Sequence, residues 1–275
     1  MTTNYLLIYK LFFNVYTWLL LLDVVIFLII VGLGAGTLGS IIGIGGGIII
    51  TPILALMGFS PTHIASTSLM AVASSSTSST IAYSRQARID YDIGLKMAIF
   101  SIPGSIVGVF ISTTISLEYF KISFAILLML TGIYILFKNS ILKKKSNNQL
   151  KSAFSLLLCY AGTFIAGIIS SLFGVGGGII FVPIMVLIFR MTMTKAAPTS
   201  QLILLITSLI GIIAHVLLAK PDFFNGLSLA AGAFIGGQIG AALSSHIGEK
   251  ILQKLLSVFL IAVAIKLIFD SIFNL

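Results

Sequence analysis

Apolar residues fill the chain in blocks, and short polar clusters separate them. The blocks fall at about 19–42, 48–58, 61–84, 93–115 and 119–138, then at about 153–173, 179–189, 196–218, 225–247 and 251–270. Crossing a hydrocarbon core as a helix takes about 20 apolar residues. Four blocks in each set of five meet that length and predict membrane-spanning helices. The second block of each set does not. At about 1.5 Å per residue, an eleven-residue helix reaches only half the core.

The two sets are copies of one unit. Ala35-Gly36, Ser40, Gly43, Gly45-Gly46-Gly47-Ile48-Ile49 and Pro52-Ile53 recur 131 positions later as Ala166-Gly167, Ser171, Gly174, Gly176-Gly177-Gly178-Ile179-Ile180 and Pro183-Ile184. One inserted residue then moves the offset to 132, matching Ala65, Thr67 and Ser68 with Ala197, Thr199 and Ser200. At that offset Asp90 matches Asp222, Gly94 matches Gly226, and Gly104 and Gly108 match Gly236 and Gly240. The fold class that follows is an all-α polytopic membrane protein of two homologous repeats. Each repeat has four long transmembrane helices plus one short broken or re-entrant half-helix after a Gly-x-Gly-Gly-Gly loop. The division is an N-terminal lead-in at 1–18, a first repeat at 19–138, a Lys-rich linker at 139–151 and a second repeat at 152–275.

Composition agrees. Only 8% of residues are charged and 58% are hydrophobic, with a mean hydropathy of +1.17. A soluble domain carries about 25% charged residues. The formal net charge of +9 gathers at Lys138, Lys143, Lys144, Lys145 and Lys151, between spans. That is where the positive-inside rule places basic residues, so it argues for a bilayer and against nucleic acid as partner. Cys159 is the single cysteine, which excludes a disulfide framework.

Two topologies fit. If the short element is re-entrant, the repeats are parallel and Arg190, Lys195, Lys250 and Lys254 lie outside. If it completes a crossing, the repeats are inverted, those residues lie inside and Lys220 lies outside. Element length favours the re-entrant form.

The chemistry centres on the glycine loops. Non-helical backbone at membrane depth is tolerated only inside protein or beside a polar cavity, and adjacent glycine N–H groups can converge on an anion. Thr51-Pro52 has the form of a helix cap followed by proline, so Pro52 and Pro183 are expected at helix breaks. The candidate substrate-binding residues are Gly45, Gly46, Gly47, Thr67 and Ser68, with Gly176, Gly177, Gly178, Thr199, Ser200 and Gln201. Neutral donors without a fixed cation suit an anion that must bind and leave. No Lys-Ser/Thr pair follows the glycines, which excludes a phosphate loop of the Walker type. All seven acidic residues lie near segment ends, against a carboxylate proton relay or a metal site. His63 and His215 lie near helix ends, where an interfacial or gating role is open to them; His246 lies at a loop. The run Ser74 to Thr80 covers every face of its helix, which predicts that some hydroxyls line a cavity while others bond to helices.

These paired motifs resemble the sulfite exporter TauE/SafE family, also called the toluenesulfonate uptake permeases. The resemblance rests on Gly43 to Pro52 with Ala65 to Ser68, and on Gly174 to Pro183 with Ala197 to Ser200. It implies transport of sulfite, organosulfonates or related sulfur anions at the plasma membrane, without a cofactor. Active transport would then draw on a coupling ion, proton or sodium. Gln201 stands where the first repeat has Leu69, so the two sites are chemically unequal. An intramembrane enzyme and a non-transporting subunit of a membrane complex are the alternatives. No Ser-His pair or carboxylate pair at depth supports the enzyme.

Overall fold

In a computed structural model, the described residues are 2–144, 153–218, 221–244 and 249–273. They form α1 (Thr2–Ile42), α2 (Gly47–Leu56), α3 (Pro61–Arg85), α4 (Tyr91–Thr114), α5 (Leu117–Lys144), α6 (Ala153–Phe173), α7 (Gly178–Leu187), α8 (Met193–Leu218), α9 (Phe223–Leu243) and α10 (Glu249–Phe273). There is no strand among the described residues. The lead-in and first span are one helix, and α5 continues into the first residues of the lysine-rich stretch. The rest of that stretch, Lys220 and His246 lie outside the described residues.

Among the described residues, Leu22–Ile42 of α1, α4, Leu117–Tyr134 of α5, α8 and α9 are long and apolar enough to cross a membrane. Large apolar side chains such as Ile30, Ile99, Phe110, Leu130, Leu157, Leu217 and Leu227 point outward. Such a perimeter needs an apolar solvent, and this is a multi-pass membrane protein. Inside, hydroxyls outnumber charges: the buried polar side chains are Ser and Thr with Gln201 and His215.

Helix directions follow from the residues in register. Gly232 lies against Ile29, Gly236 against Leu33 and Gly240 against Thr37, so α1 and α9 run the same way. Gly104 on Phe164 and Gly108 on Ile168 make α4 and α6 parallel. Between α3 and α8 the order reverses: Leu69 lies beside Gly211, whereas Ser79 meets Gln201. Helix α8 thus runs opposite to α3, and the second five elements run opposite to the first five.

This corrects the re-entrant expectation. Gly46 sits beside Ala35 and Gly36, so the chain reverses after α1 and descends along it. α2 continues that descent, and α3 starts from its far end. The ten-residue helix completes the return because α1 and α3 run the same way, each in register with α9, so the segment between them must come back. The charge pattern becomes simple. Arg88 donates to the Thr194 carbonyl at 3.0 Å, which puts Arg85, Arg88, Arg190 and Lys195 at one end of the bundle. By the positive-inside rule that end is cytoplasmic.

Helix starts follow the sequence at three places. Ser60 accepts the His63 N–H ahead of Pro61, and Asp90 and Asp222 accept the N–H groups of Ile93 and Asn225. At the short helices they do not. α2 begins at Gly47 and α7 at Gly178, with Gly46 and Gly177 at the cap positions and no side-chain cap on either. Pro52 and Pro183 are therefore inside helices and are not helix breaks, and Thr51 is not a cap. Gly46 already has helical angles, φ −68° and ψ −18°, so the helix starts before Thr51 is reached. Each proline removes one helical N–H bond without ending the helix. The breaks are the glycines at positive φ: Gly43 at 79° and Gly45 at 89°, matched by Gly174 at 71° and Gly176 at 77°.

The glycine seams allow a direct test. A methyl on Gly104 or Gly236 would strike the carbonyl oxygen of Phe164 or Leu33, whereas one on Gly34 meets nothing within 4 Å. Gly104→Ala and Gly236→Ala should each destabilise the protein by about 1–3 kcal/mol. Gly34→Ala should be neutral or slightly stabilising through helix propensity. Thermal unfolding in detergent measures the contrast.

Candidate functional site

The two glycine loops meet at the centre of the bundle. A Cβ on Gly47 would run into the Gly174 carbonyl oxygen, and one on Gly178 would lie 2.5 Å from the Gly43 carbonyl oxygen. Only residues without a side chain allow this approach of backbone to backbone. Unwound carbonyls at this depth need donors, and each loop receives one from the opposite half. Ser68 Oγ donates to the Gly174 carbonyl at 2.7 Å, and Ser200 Oγ donates to the Gly43 carbonyl at 2.6 Å. The matched serines thus perform matched tasks across the pseudo-twofold centre.

Residues 43–48 and 174–179 are buried, and neither short helix receives a side-chain cap. The first N–H groups of any helix lack intrahelical acceptors, and the dipole makes that end positive. Two such ends therefore face the centre from opposite directions. Val72 and Leu204, which match at the 132 offset, pack against Gly45 and Gly176 and close the crossing with apolar groups.

The remaining predicted residues divide. Thr67 is buried in the same turn as Ser68. Thr199 Oγ1 accepts the Asp90 N–H at 3.0 Å, which ties α8 to the start of α4, away from the loops. Gln201 is fully buried; its Nε2 donates to the Gly39 carbonyl at 3.0 Å and its Oε1 accepts from Ser79 at 3.2 Å. Gln201 therefore clamps α1 to α3 on one side of the crossing, and Leu69 makes no such bond on the other. Thr51 Oγ1 donates to the Phe173 carbonyl at 2.8 Å and lies 3.1 Å from Ser68 Oγ.

Several polar contacts had no signal in the sequence. Ser101 pairs with Thr207 at 2.7 Å and Ser105 with Ser171 at 2.5 Å. Tyr83 donates its hydroxyl to the Ser40 carbonyl at 2.8 Å. At the position matching Tyr83, buried His215 lies 3.2 Å from Ser112 Oγ and 2.9 Å from the Gly211 carbonyl. His63 is exposed. Only the repeat could have pointed to the Tyr83–His215 correspondence, and it could not supply partners.

With this geometry in place, the comparisons with known proteins are specific. The family model described as sulfite exporter TauE/SafE matches residues 28–267. The probable membrane transporter protein YunE of Bacillus subtilis is 30% identical, over 90% of this chain and 99% of the relative. The probable membrane transporter protein ORF9 of Sinorhizobium is 27% identical, over 89% and 92%. The probable membrane transporter protein YfcA of Escherichia coli K12 is 24% identical, over 92% and 91%. No solved structure matches the chain.

The reciprocal serine bonds should carry stability. Ser68→Ala or Ser200→Ala strands a buried carbonyl, at about 1–3 kcal/mol. The two losses should not add, because both bonds hold one crossing. A double-mutant cycle on thermal unfolding in detergent tests this; strict additivity would separate the two loops energetically.

Proposed function

The chain belongs to the sulfite exporter TauE/SafE family, and from that premise we propose that it is a secondary permease for sulfite, an organosulfonate or a related small sulfur-containing anion. It works by alternating access at the plasma membrane, driven by a coupling ion, proton or sodium. The observation that carries the reading is the pair of uncapped, buried half-helix starts facing one centre. Half-helices whose positive ends point at a midplane site, set in oppositely directed repeats, are a recurring way to hold and release an anionic substrate.

In this reading the N–H groups of Gly46 and Gly47, and of Gly176 and Gly177, attract the anion at the crossing, while those of Gly45 and Gly178 already bond to the carbonyls of Gly39 and Gly176 and shape the loops. Ser68 and Ser200 fix the loops, Thr67 and Thr199 lie on the flanking helices, and Gln201 makes one side more polar. Rocking of one half against the other would expose the centre alternately to each side, with Val72 and Leu204 as the apolar barrier. Among the described residues no buried side chain is a carboxylate, lysine or arginine, which suits a substrate that is itself negative and must not be trapped.

The test is flux. Purified protein in proteoliposomes should move sulfite, with sulfate and taurine as competing candidates. Gly46→Val forces a side chain onto the Ala35 backbone, and Gly177→Val forces one onto the Ala166 carbonyl and Phe181. Both variants should insert and lose flux. Absence of protein-dependent flux for every anion would overturn the proposal, and unchanged flux in both variants would reduce the loops to packing devices.

A further inference from the structure

Among the described residues, His215 is the one buried side chain of the His, Lys, Arg, Asp and Glu types, at 0% exposure. The pathway drawn above gives it no task. It stands in the last turn of α8. That end of the bundle is the outer one, because the start of α8 meets Arg88 at the cytoplasmic end.

Two neighbours hold the imidazole. Nδ1 lies 2.9 Å from the Gly211 carbonyl and Nε2 lies 3.2 Å from Ser112 Oγ. A carbonyl can only accept, so Nδ1 carries a hydrogen in either charge state of the ring. The two states differ at Nε2. Ser112 Oγ also lies 2.7 Å from the Val109 carbonyl, and its one hydrogen can serve only one of these neighbours. Turned to Nε2, it leaves the ring neutral. Turned to the Val109 carbonyl, it frees the same oxygen to accept a hydrogen from Nε2, and the ring is an imidazolium. One hydroxyl rotation therefore satisfies both states without moving a heavy atom.

No carboxylate fixes the charge: among the described residues His215 forms no ion pair. On the helices packed against α8, the titratable groups lie elsewhere. Asp23 of α1 and His63 of α3 are exposed. Tyr83 and Arg85 end α3 on the cytoplasmic side, where α4 carries Tyr91, Asp92 and Lys96. Cys159 and Tyr160 belong to the cytoplasmic half of α6, and α7 has no such residue. At the outer end beyond these helices, Glu118 is exposed and Asp222 caps α9.

The first repeat has the same plan with a permanent charge. Tyr83, the counterpart of His215, donates to the Ser40 carbonyl at 2.8 Å. Ser244, the counterpart of Ser112, accepts from Arg88 at 2.8 Å, and Arg88 lies over the Tyr83 ring at 5.1 Å. A guanidinium is always charged, whereas an imidazole is charged only while it holds a proton. The cytoplasmic end thus has a fixed cation where the outer end has a conditional one.

His215 also reaches the crossing through packed residues. A Cβ on Gly211, whose carbonyl holds the ring, would lie 2.7 Å from Ser171 Oγ and 3.3 Å from Ser105 Oγ. Ser171 stands three residues before Gly174, the loop glycine whose carbonyl takes Ser68. Charges buried in protein are weakly screened, so a proton on the imidazole attracts an anion at the crossing.

We propose that His215, with Ser112 as its rotating hydroxyl partner, is the binding site of the coupling proton. This rests on the transport reading above and selects the proton over sodium. The proton enters at Nε2 from the outer side, and the Ser112 hydrogen turns away to receive it. Its charge then favours the anion at the glycine loops.

The full chain is tested in proteoliposomes and in detergent. Sulfite flux is measured with and without an imposed pH gradient. The histidine ring nitrogens are followed by NMR from about pH 5 to 8, with and without sodium sulfite. His215→Gln removes the titrating group. Ser112→Ala keeps it but removes the oxygen that receives the Nε2 hydrogen, and gives the readout should His215→Gln not fold. His63→Gln, at the same end, is the control. The gradient should accelerate flux about tenfold in the wild type and in His63→Gln, and should have no effect in His215→Gln or Ser112→Ala. Sulfite itself titrates, but that contribution is common to all four proteins. The NMR signal missing from His215→Gln should titrate in the wild type, and its midpoint should move with sulfite, because coupling between two ligands is reciprocal. Wild-type flux indifferent to the gradient, equal acceleration in all four proteins, or a His215 signal that never titrates overturns the proton site and leaves transport standing. Absence of wild-type flux for every anion overturns transport and the coupling with it; a His215 midpoint that still moves with sulfite then supports a linked proton and anion site without transport.

Discussion

Everything in this molecule turns on how a non-helical backbone is kept satisfied inside a bilayer. Unwound carbonyls in hydrocarbon have no water to turn to, so a broken helix must borrow donors. Here each half lends the other its donor: Ser68 serves Gly174 and Ser200 serves Gly43. The glycines make the approach sterically possible, and the serines make it energetically tolerable. Because the bonds are mutual, neither loop can be repositioned without disturbing its counterpart.

The halves are nevertheless unequal. Along the α1–α9 seam Gly232 lets the helices touch backbone to backbone at Ile29. At the matching place on the α4–α6 seam the pair is Phe100 and Tyr160, stacked with ring centroids 4.0 Å apart. The Gln201 clamp and the unpartnered hydroxyls of α3 sit on one side of the crossing. The opposite side carries paired hydroxyls such as Ser105 with Ser171, beside the unpartnered Ser170. A substrate would meet a different sequence of donors from each side.

Much of the architecture was readable in the chain itself. The repeat gave the element order, and the caps that the structure shows at Ser60, Asp90 and Asp222 are local chemistry of a kind that a sequence carries. Thr51 carried the same signature without the role. Its cap geometry was pre-empted by Gly46, whose lack of a side chain lets the helix begin early. The direction of the short element was misread from length because it is set by the parallel run of α1 and α3 beside α9, which is a tertiary fact. The partners of Gln201, Tyr83 and the seven-hydroxyl run were invisible, since they depend on which helix faces which. Local periodicity says that a hydroxyl points inward, not what it finds there.

The pairing of α1 with α9, and of α4 with α6, also bears on how the protein is made. As the chain emerges from the ribosome, α1 is complete about 180 residues before its seam partner begins. At roughly 5–20 residues per second that is a wait of roughly 10–40 s. Through that interval the glycine-lined face of α1 has no helix to meet, and the loop at Gly43 lacks its serine from α8. The first five elements therefore wait in the bilayer with that seam and that loop unfilled. Final assembly is a late, collective event that happens only when the second half arrives.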